Sequence, residues 1–287
     1  MKTIRVIPRL DIKGPNLVKG IHFEGLRVLG KPDQFAKFYY ENGADELFFQ
    51  DTVASLYERN NLHDIISKTA KQIFIPLTVG GGIRTISDIQ NVLRAGADKV
   101  AINTGAINNP DFIKEASRKF GSSTIVVAIE AIKNFDGTYS AFTDNGREHT
   151  GVEVLSWAKK VEELGAGEIV ISSVDKEGTG DGFDLQLCKM ISEAVSIPVI
   201  AHGGAKNAKN VVEVITKANV DAVAIASILH YGSMNILEQT QDENYHFEGN
   251  VSFLNSGKIP KFITPSTLQE IKSEMVNFNI PTRIISS

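Results

Sequence analysis

The chain has 287 residues, 42% hydrophobic and 22% charged, with 24 glycines, a balance that excludes a disordered polymer and suits a folded globular protein. Its 30 Lys and Arg are outnumbered by 34 Asp and Glu, a net charge of −4 that argues against nucleic acid as a partner. The lone Cys188 allows neither an internal disulfide nor a CxxC framework, so no metal or other cofactor is expected and a reducing cytoplasm is the natural setting.

The first 14 residues place Arg5, Arg9 and Asp11 within an otherwise apolar stretch, which therefore reads as neither a signal peptide nor a membrane span. Residues 5–10 read instead as a first strand. In chain order there follow a helix at 32–41, a strand at 46–50, a helix at 62–69, a strand at 73–79 and a helix at 86–94. The alternation continues with strand 99–103, helix 110–119, strand 124–130, helix 152–163, strand 168–173 and helix 184–194. Strand 197–201, helix 208–218, strand 222–226 and a last helix at 266–277 complete it. Strands too apolar for one-sided burial, each followed by an amphipathic helix, predict a parallel sheet covered by helices, and eight such units predict a closed (β/α)8 TIM barrel spanning 1–287 as one domain.

The segment starting at Ile75, IPLTVGGGIRTISDIQNVLRAGADKVAINT, aligns with IPVIAHGGAKNAKNVVEVITKANVDAVAIAS starting at Ile197. ENGADELFF from Glu41 likewise matches ELGAGEIVI from Glu163. These repeats predict two related half-barrels, about 1–120 and 121–287, with strands 3 and 4 corresponding to strands 7 and 8.

In a barrel of this kind reactive groups belong at the C-terminal ends of strands, here Asp11, Asp51, Thr78, Asn103, Glu130, Ser172, His202 and Ser227. Asp11 and Glu130 end strands on opposite sides of the mouth and form a candidate acid–base pair. Gly80, Gly81 and Gly82 follow strand 3, with Asn103 and Thr104 after strand 4; the second copy supplies Gly203, Gly204 and Ser227. Glycine-flanked backbone N–H groups repeated at two edges suit a substrate phosphorylated at both ends. The stretch 11–30, rich in glycine and carrying Lys13 and Lys19, reads as a long functional loop with Lys19 a candidate substrate contact.

RLDIKGPNLVKG from Arg9, TVGGGIR from Thr78, GADKVAINT from Gly96 and DKEGTGDGFD from Asp175 resemble the cyclase subunit of imidazole glycerol phosphate synthase, the HisF family. The similarity runs from residue 4 to about 231 and resumes in the last helix. It implies a subunit that takes ammonia from a separate, HisH-like glutaminase and delivers it through the barrel to a bisphosphorylated ribulosyl intermediate. By that resemblance Asp11 and Glu130 are the catalytic carboxylates and Lys19 the loop lysine. Gly82, Asn103 and Thr104 would form one phosphate site, and Gly178, Gly204 and Ser227 the other, with Ser172, His202 and Gly203 alongside. Arg5, Glu46, Lys99 and Glu168 match the charged ring at the barrel floor where ammonia enters; a purely structural salt-bridge cluster is the alternative.

Several positions depart from the family. Glu130 stands where the family has aspartate, Arg9 where it has a small residue, His202 where it has a small hydroxyl side chain, and Glu177 where it has aspartate. Strand parity points Arg9 into the barrel, where a buried guanidinium requires a carboxylate, Glu130 or Asp51 being the expected partners. Opposite parity of Glu46 and Asp51 predicts an interruption near Gln50 if both face inward. Residues 232–262 read as an insertion after strand 8. These departures favour a paralogue that amidates another acceptor, such as a surface-polysaccharide sugar, beside a sugar amidotransferase. The genuine histidine-pathway cyclase, a non-catalytic ammonia conduit and a sugar-phosphate isomerase are the alternatives.

Overall fold

The computed structural model describes residues 2–54, 62–238 and 259–284. Eight parallel strands close into a barrel: β1 (Arg5–Lys13), β4 (Leu47–Asp51), β5 (Leu77–Gly80), β6 (Lys99–Ile102), β7 (Ile125–Lys133), β10 (Glu168–Ser173), β11 (Val199–His202) and β12 (Ala222–Ile225). β12 pairs with β1 through Arg5↔Ala222 to Pro8↔Ile225, which closes the ring and bears out the predicted TIM barrel.

Alternate residues of each strand divide between two cores. Ile7, Phe48, Ala101, Val126, Val170, Ile200, Ala222 and Ala224 fill the bore, whereas Val6, Leu10 and Ile12 of β1 face the surrounding helices. Those helices are α1 (Pro32–Glu41), α2 (His63–Ala70), α3 (Ile86–Ala95), α4 (Thr104–Asn108), α5 (Asp111–Phe120), α6 (Val154–Glu163), α7 (Leu185–Ser192), α8 (Ala208–Ala218), α9 (Ser227–Glu238) and α10 (Leu268–Asn277).

The repeat seen in the sequence extends to individual hydrogen bonds. Asp98 accepts from the Leu77 N–H at 2.8 Å, and Asp221 accepts from the equivalent Val199 N–H at 2.7 Å. Helix starts are capped by Thr85 in one copy and Asn207 in the other; the left-handed C-caps are Gly96 and Asn219.

Two expectations are corrected. The stretch after strand 1 is an antiparallel hairpin, β2 (Asn16–Ile21) and β3 (Glu24–Gly30), because β1 continues past the barrel rim to pair Asp11↔Val18 and Lys13↔Asn16. A second extension, β8 (Tyr139–Thr143) and β9 (Glu148–Glu153), builds on the rim end of β7. β4 pairs with β1 without interruption, and Asp51, of opposite parity to Phe48 and Gln50, accepts from the Val53 and Ala54 N–H groups, both at 3.0 Å, to cap the turn beyond the strand. Of the expected insertion at 232–262, residues up to 238 continue α9, while 239–258 lie outside the described residues.

Candidate active site

Of the residues β1 turns into the bore, Arg5, Arg9 and Asp11 are polar and Ile7 is apolar. Arg5 lies at the floor, where its Nη1 meets Glu46 at 2.7 Å and Glu168 at 3.2 Å. Lys99 Nζ completes the circuit, 3.1 Å from each carboxylate. The Thr78 hydroxyl donates to Glu46 at 2.6 Å. Two cations alternating with two anions satisfy one another, so the ring is stable without a ligand while blocking the N-terminal end of the bore.

Two residues above Ile7, Arg9 spans the upper bore. Its Nε donates to Asp11 at 3.1 Å, while Nη1 lies 3.4 Å from Ser172 Oγ and 3.2 Å from His202 Nδ1. The guanidinium also lies over the rings of Phe23 and Phe48, 5.3 and 5.5 Å from their centroids. Asp11, from its own strand, is thus the carboxylate partner of Arg9, not Glu130 or Asp51. The two inward-facing residues of β1 are close enough to pair directly, and Asp51 is committed to its turn.

Lys19, on β2 of the hairpin and lining the mouth, is buried, ion-paired with Glu177 and 3.5 Å from Asp11. Burial alone would lower its proton affinity, but Glu177 and Asp11 outweigh burial and raise it. Glu177 also accepts from the Phe23 N–H at 2.9 Å, and its backbone carbonyl accepts from the His22 N–H at 2.9 Å. These bonds tie the β2–β3 turn across the mouth, where Phe23 stacks on His202 at 6.2 Å.

The two candidate carboxylates have opposite electrostatics. Burial pushes Asp11 up, but Arg9 and Lys19 overcome it and hold the carboxyl below its ordinary range. Burial dominates at Glu130 and raises it to about 7, despite a 2.8 Å bond from the Gly146 N–H. One acid is therefore held ionised and the other is poised near neutrality. His202 is driven well below its usual range by burial and then by Arg9 and Lys19, so it is neutral and accepts through Nδ1.

Gly82, Asn103, Thr104 and Glu130 line the larger of two cavities at the mouth, together with Arg9, Arg84, Asp51, Asp144 and Ser172. Gly178, Gly203, Gly204 and Ser227 line the smaller, with Lys19, Glu177 and His202. Gly204 has φ +104°, and a Cβ there would meet the Gly182 carbonyl, so the second loop requires glycine for backbone approach.

The β8–β9 turn supplies functional candidates that the sequence reading missed. Asp144, Asn145 and Gly146 are all left-handed, and Asn145 donates to the Thr52 carbonyl at 2.7 Å, which places Gly146 against Glu130. Asn-Gly between β-prone runs was the available signal. Also missed is His230 of α9, whose Nε2 is 2.9 Å from the Arg9 carbonyl and whose Nδ1 is 2.7 Å from the Tyr39 hydroxyl.

A closed barrel of duplicated halves, with an ion-paired floor and two carboxylates of divided acidity at its mouth, defines the class as a half-barrel-repeat (β/α)8 protein. Residues 5–235 match the family described as "Histidine biosynthesis protein". The chain is 58% identical over 204 residues to the imidazole glycerol phosphate synthase subunit HisF of Legionella pneumophila, covering 71% of this chain and 96% of that protein. The HisF subunits of Methanococcus vannielii and Bacillus cereus are each 48% identical, over 256 and 232 residues; the alignments cover 82% and 81% of this chain and 94% and 92% of theirs. The chain belongs to the HisF family.

Proposed function

We propose that the protein is an ammonia-using synthase subunit of the imidazole glycerol phosphate synthase type, acting on a phosphorylated acceptor with ammonia supplied by a separate HisH-like glutaminase. The observation that carries this reading is the division of acidity between Asp11 and Glu130 at the mouth of a bore whose floor is the Arg5–Glu46–Lys99–Glu168 ring. Ammonia enters when the ring parts, crosses the bore and attacks an acceptor carbonyl carbon. Glu130 protonates the carbonyl oxygen as the C–N bond forms, and Asp11 accepts one proton from the attacking nitrogen. Asp11 then returns that proton to the new hydroxyl, which leaves as water as the C=N bond forms, and the second proton lost from nitrogen restores Glu130. The phosphate is held at the Gly82, Asn103 and Thr104 loops.

A glutaminase partner follows from the chain's own chemistry. Burial pushes the Cys188 thiol up, so it is no nucleophile for glutamine. Phe74, 84% exposed and three residues before β5, offers an apolar contact beside the ring for a docked subunit.

Arg9, Glu130 and His202 favour an acceptor other than the family's ribulosyl intermediate, and so a paralogue for amidation, for example of a surface-polysaccharide sugar with a sugar amidotransferase downstream. The 48–58% identity to HisF subunits favours the second reading, the histidine-pathway cyclase itself. Purified chain given the bisphosphorylated ribulosyl substrate and ammonium salts at alkaline pH separates the two: efficient cyclisation identifies the histidine enzyme. Glutamine hydrolysis by the chain alone, or turnover unaffected by Asp11→Asn, refutes the proposed mechanism.

A further inference from the structure

The ring of His202 is fixed by its neighbours. Phe23 stacks on one face at 6.2 Å with the planes 23° apart, and the residue, 3% exposed, ends β11 on the bore side. Its Nδ1 lies 3.2 Å from Arg9 Nη1 and 3.1 Å from Ser172 Oγ. A guanidinium donates hydrogen bonds and accepts none, so the nitrogen that faces it must present its lone pair. Ser172, whose hydroxyl can either donate or accept, would not decide the matter by itself. A neutral imidazole with its lone pair on Nδ1 carries its proton on Nε2. Burial, Arg9 and Lys19 all disfavour the charged ring and keep it neutral.

Nε2 therefore directs a donor away from Arg9, and no described residue accepts from it. His202 lines the smaller cavity, beside the second glycine loop. The charged side chains of that cavity among the described residues, Lys19 and Glu177, are opposite in sign and paired with each other. Lys19 also lies 3.5 Å from Asp11, and the Arg9 guanidinium below is committed to the same carboxylate. An anion at this loop thus draws heavily on neutral donors. They are the N-terminus of the 12-residue α9 at Ser227, the backbone at the left-handed Gly203 and Gly204, and the Nε2–H of His202.

From this arrangement we infer that His202 is a phosphate-binding residue of the second glycine loop, donating from Nε2–H, and that Arg9 is the positioning residue that holds it in that tautomer. The inference rests on the proposed phosphorylated acceptor and assigns one of its contacts at the second loop. It gives Arg9 a role besides its pairing with Asp11: one guanidinium holds the carboxylate through Nε and orients the anion donor through Nη1. The imidazole supplies a donor that adds no charge to the cavity and, unlike a hydroxyl, cannot turn to accept.

The test uses inorganic phosphate, titrated into the isotope-labelled full chain at mildly alkaline pH and followed by backbone-amide and histidine-ring NMR. The ring spectrum should show His202 as the Nε2–H tautomer before phosphate is added, and phosphate should shift Nε2 together with the Gly204 and Ser227 amides. His202→Leu should weaken binding at these amides about tenfold or more. His202→Gln, whose amide nitrogen can donate from nearly the same place, should stay within about threefold of wild type. Arg9→Met should let the Nδ1–H tautomer appear, with affinity falling in proportion to the Nε2–H population lost. A wild-type proton on Nδ1, or Gly204 and Ser227 shifts that leave Nε2 unmoved, overturns the inference and leaves the phosphorylated-acceptor reading intact. Shifts confined to Gly82 and Thr104 do the same. An Arg9→Met ring spectrum unchanged in tautomer overturns the positioning role of Arg9. Amides at both loops unmoved by millimolar phosphate overturn the inference and the reading it rests on. The wild-type spectra decide the role of His202 even if a variant does not fold.

Discussion

Replacing Arg9 with Met removes one partner of a buried ion pair while keeping most of the aliphatic volume. Both side chains are almost inaccessible, 4% and 2% exposed, and they meet at 3.1 Å. Removing one member of such a pair costs about 3–5 kcal/mol, because the other charge is stranded. Lys19 remains 3.5 Å from Asp11, and Ser172 and His202 can still bond each other at 3.1 Å, which places the expected loss near the lower end, about 3 kcal/mol. The sign of the pH dependence follows from Asp11. Its acidity in the folded protein is enhanced relative to the ordinary 3.8, so its stabilising contribution is present above 3.8 and lost as pH falls through the lower folded-state value. Without Arg9, burial pushes the Asp11 carboxyl upward and that contribution fails at a higher pH. Urea unfolding followed by circular dichroism should therefore show the wild type–variant gap at its widest near neutrality and shrinking below about pH 4. In the Asp11→Asn background the cost of Arg9→Met should fall by about 2 kcal/mol. A variant within about 0.5 kcal/mol of wild type at pH 7, or a gap independent of pH, refutes the pairing of Arg9 with Asp11.

Glu130→Gln should stabilise the fold at alkaline pH by up to about 3 kcal/mol: burial raises Glu130 from 4.5 to about 7, so the wild-type group costs stability progressively as pH rises through that interval. Parallel urea melts at pH 5 and pH 8 check this, and the same substitution should abolish synthase turnover. At the floor, Glu46→Gln should uncouple glutamine-dependent from ammonium-dependent turnover at least tenfold, measured with the glutaminase present and absent; equal loss of both speaks for a structural ring. His230→Leu should cost about 1–3 kcal/mol by leaving the Arg9 carbonyl without its donor. A chemical melt that does not move would show that water replaces the imidazole.

The barrel was legible because its strands are buried on both faces and its helices on one, which imposes distinct periods on the chain. The floor ring was legible from parity and resemblance, since Arg5, Glu46, Lys99 and Glu168 occupy strand starts, where neighbouring inward-facing residues have no choice but to meet. The rim was harder. In 11–30 glycines obscured the alternation, and β2 and β3 owe their pairing to the continuation of β1 beyond the barrel, a tertiary circumstance. Arg9 was correctly placed inside the bore, but its partner depends on the path of a long side chain among several carboxylates, which spacing alone does not determine. Glu177 was noted only as a departure, because its role depends on a hairpin that sequence reading had left unstructured.

The duplicated architecture explains how such small changes produce so uneven a mouth. Asp11 pairs across to Gln50 and Glu130 to Ser172, so β1 and β7 occupy equivalent places in the two halves. Two residues below each acid, β1 presents Arg9 and β7 presents Ala128; at the loops, the second half presents His202 where the first has Gly80. The large residues of these two equivalent pairs are the ones in contact, at 3.2 Å, while Ala128 lines the larger cavity and a Cβ at Gly80 would meet Gln50 Oε1 at 2.6 Å. Each half thus contributes one large and one small residue, and the two large ones, from opposite halves, meet between the glycine loops, Arg9 lining the larger cavity and His202 the smaller. Backbone symmetry is preserved at the floor, where Asp98 and Asp221 make the same bond, whereas at the mouth these side chains break it.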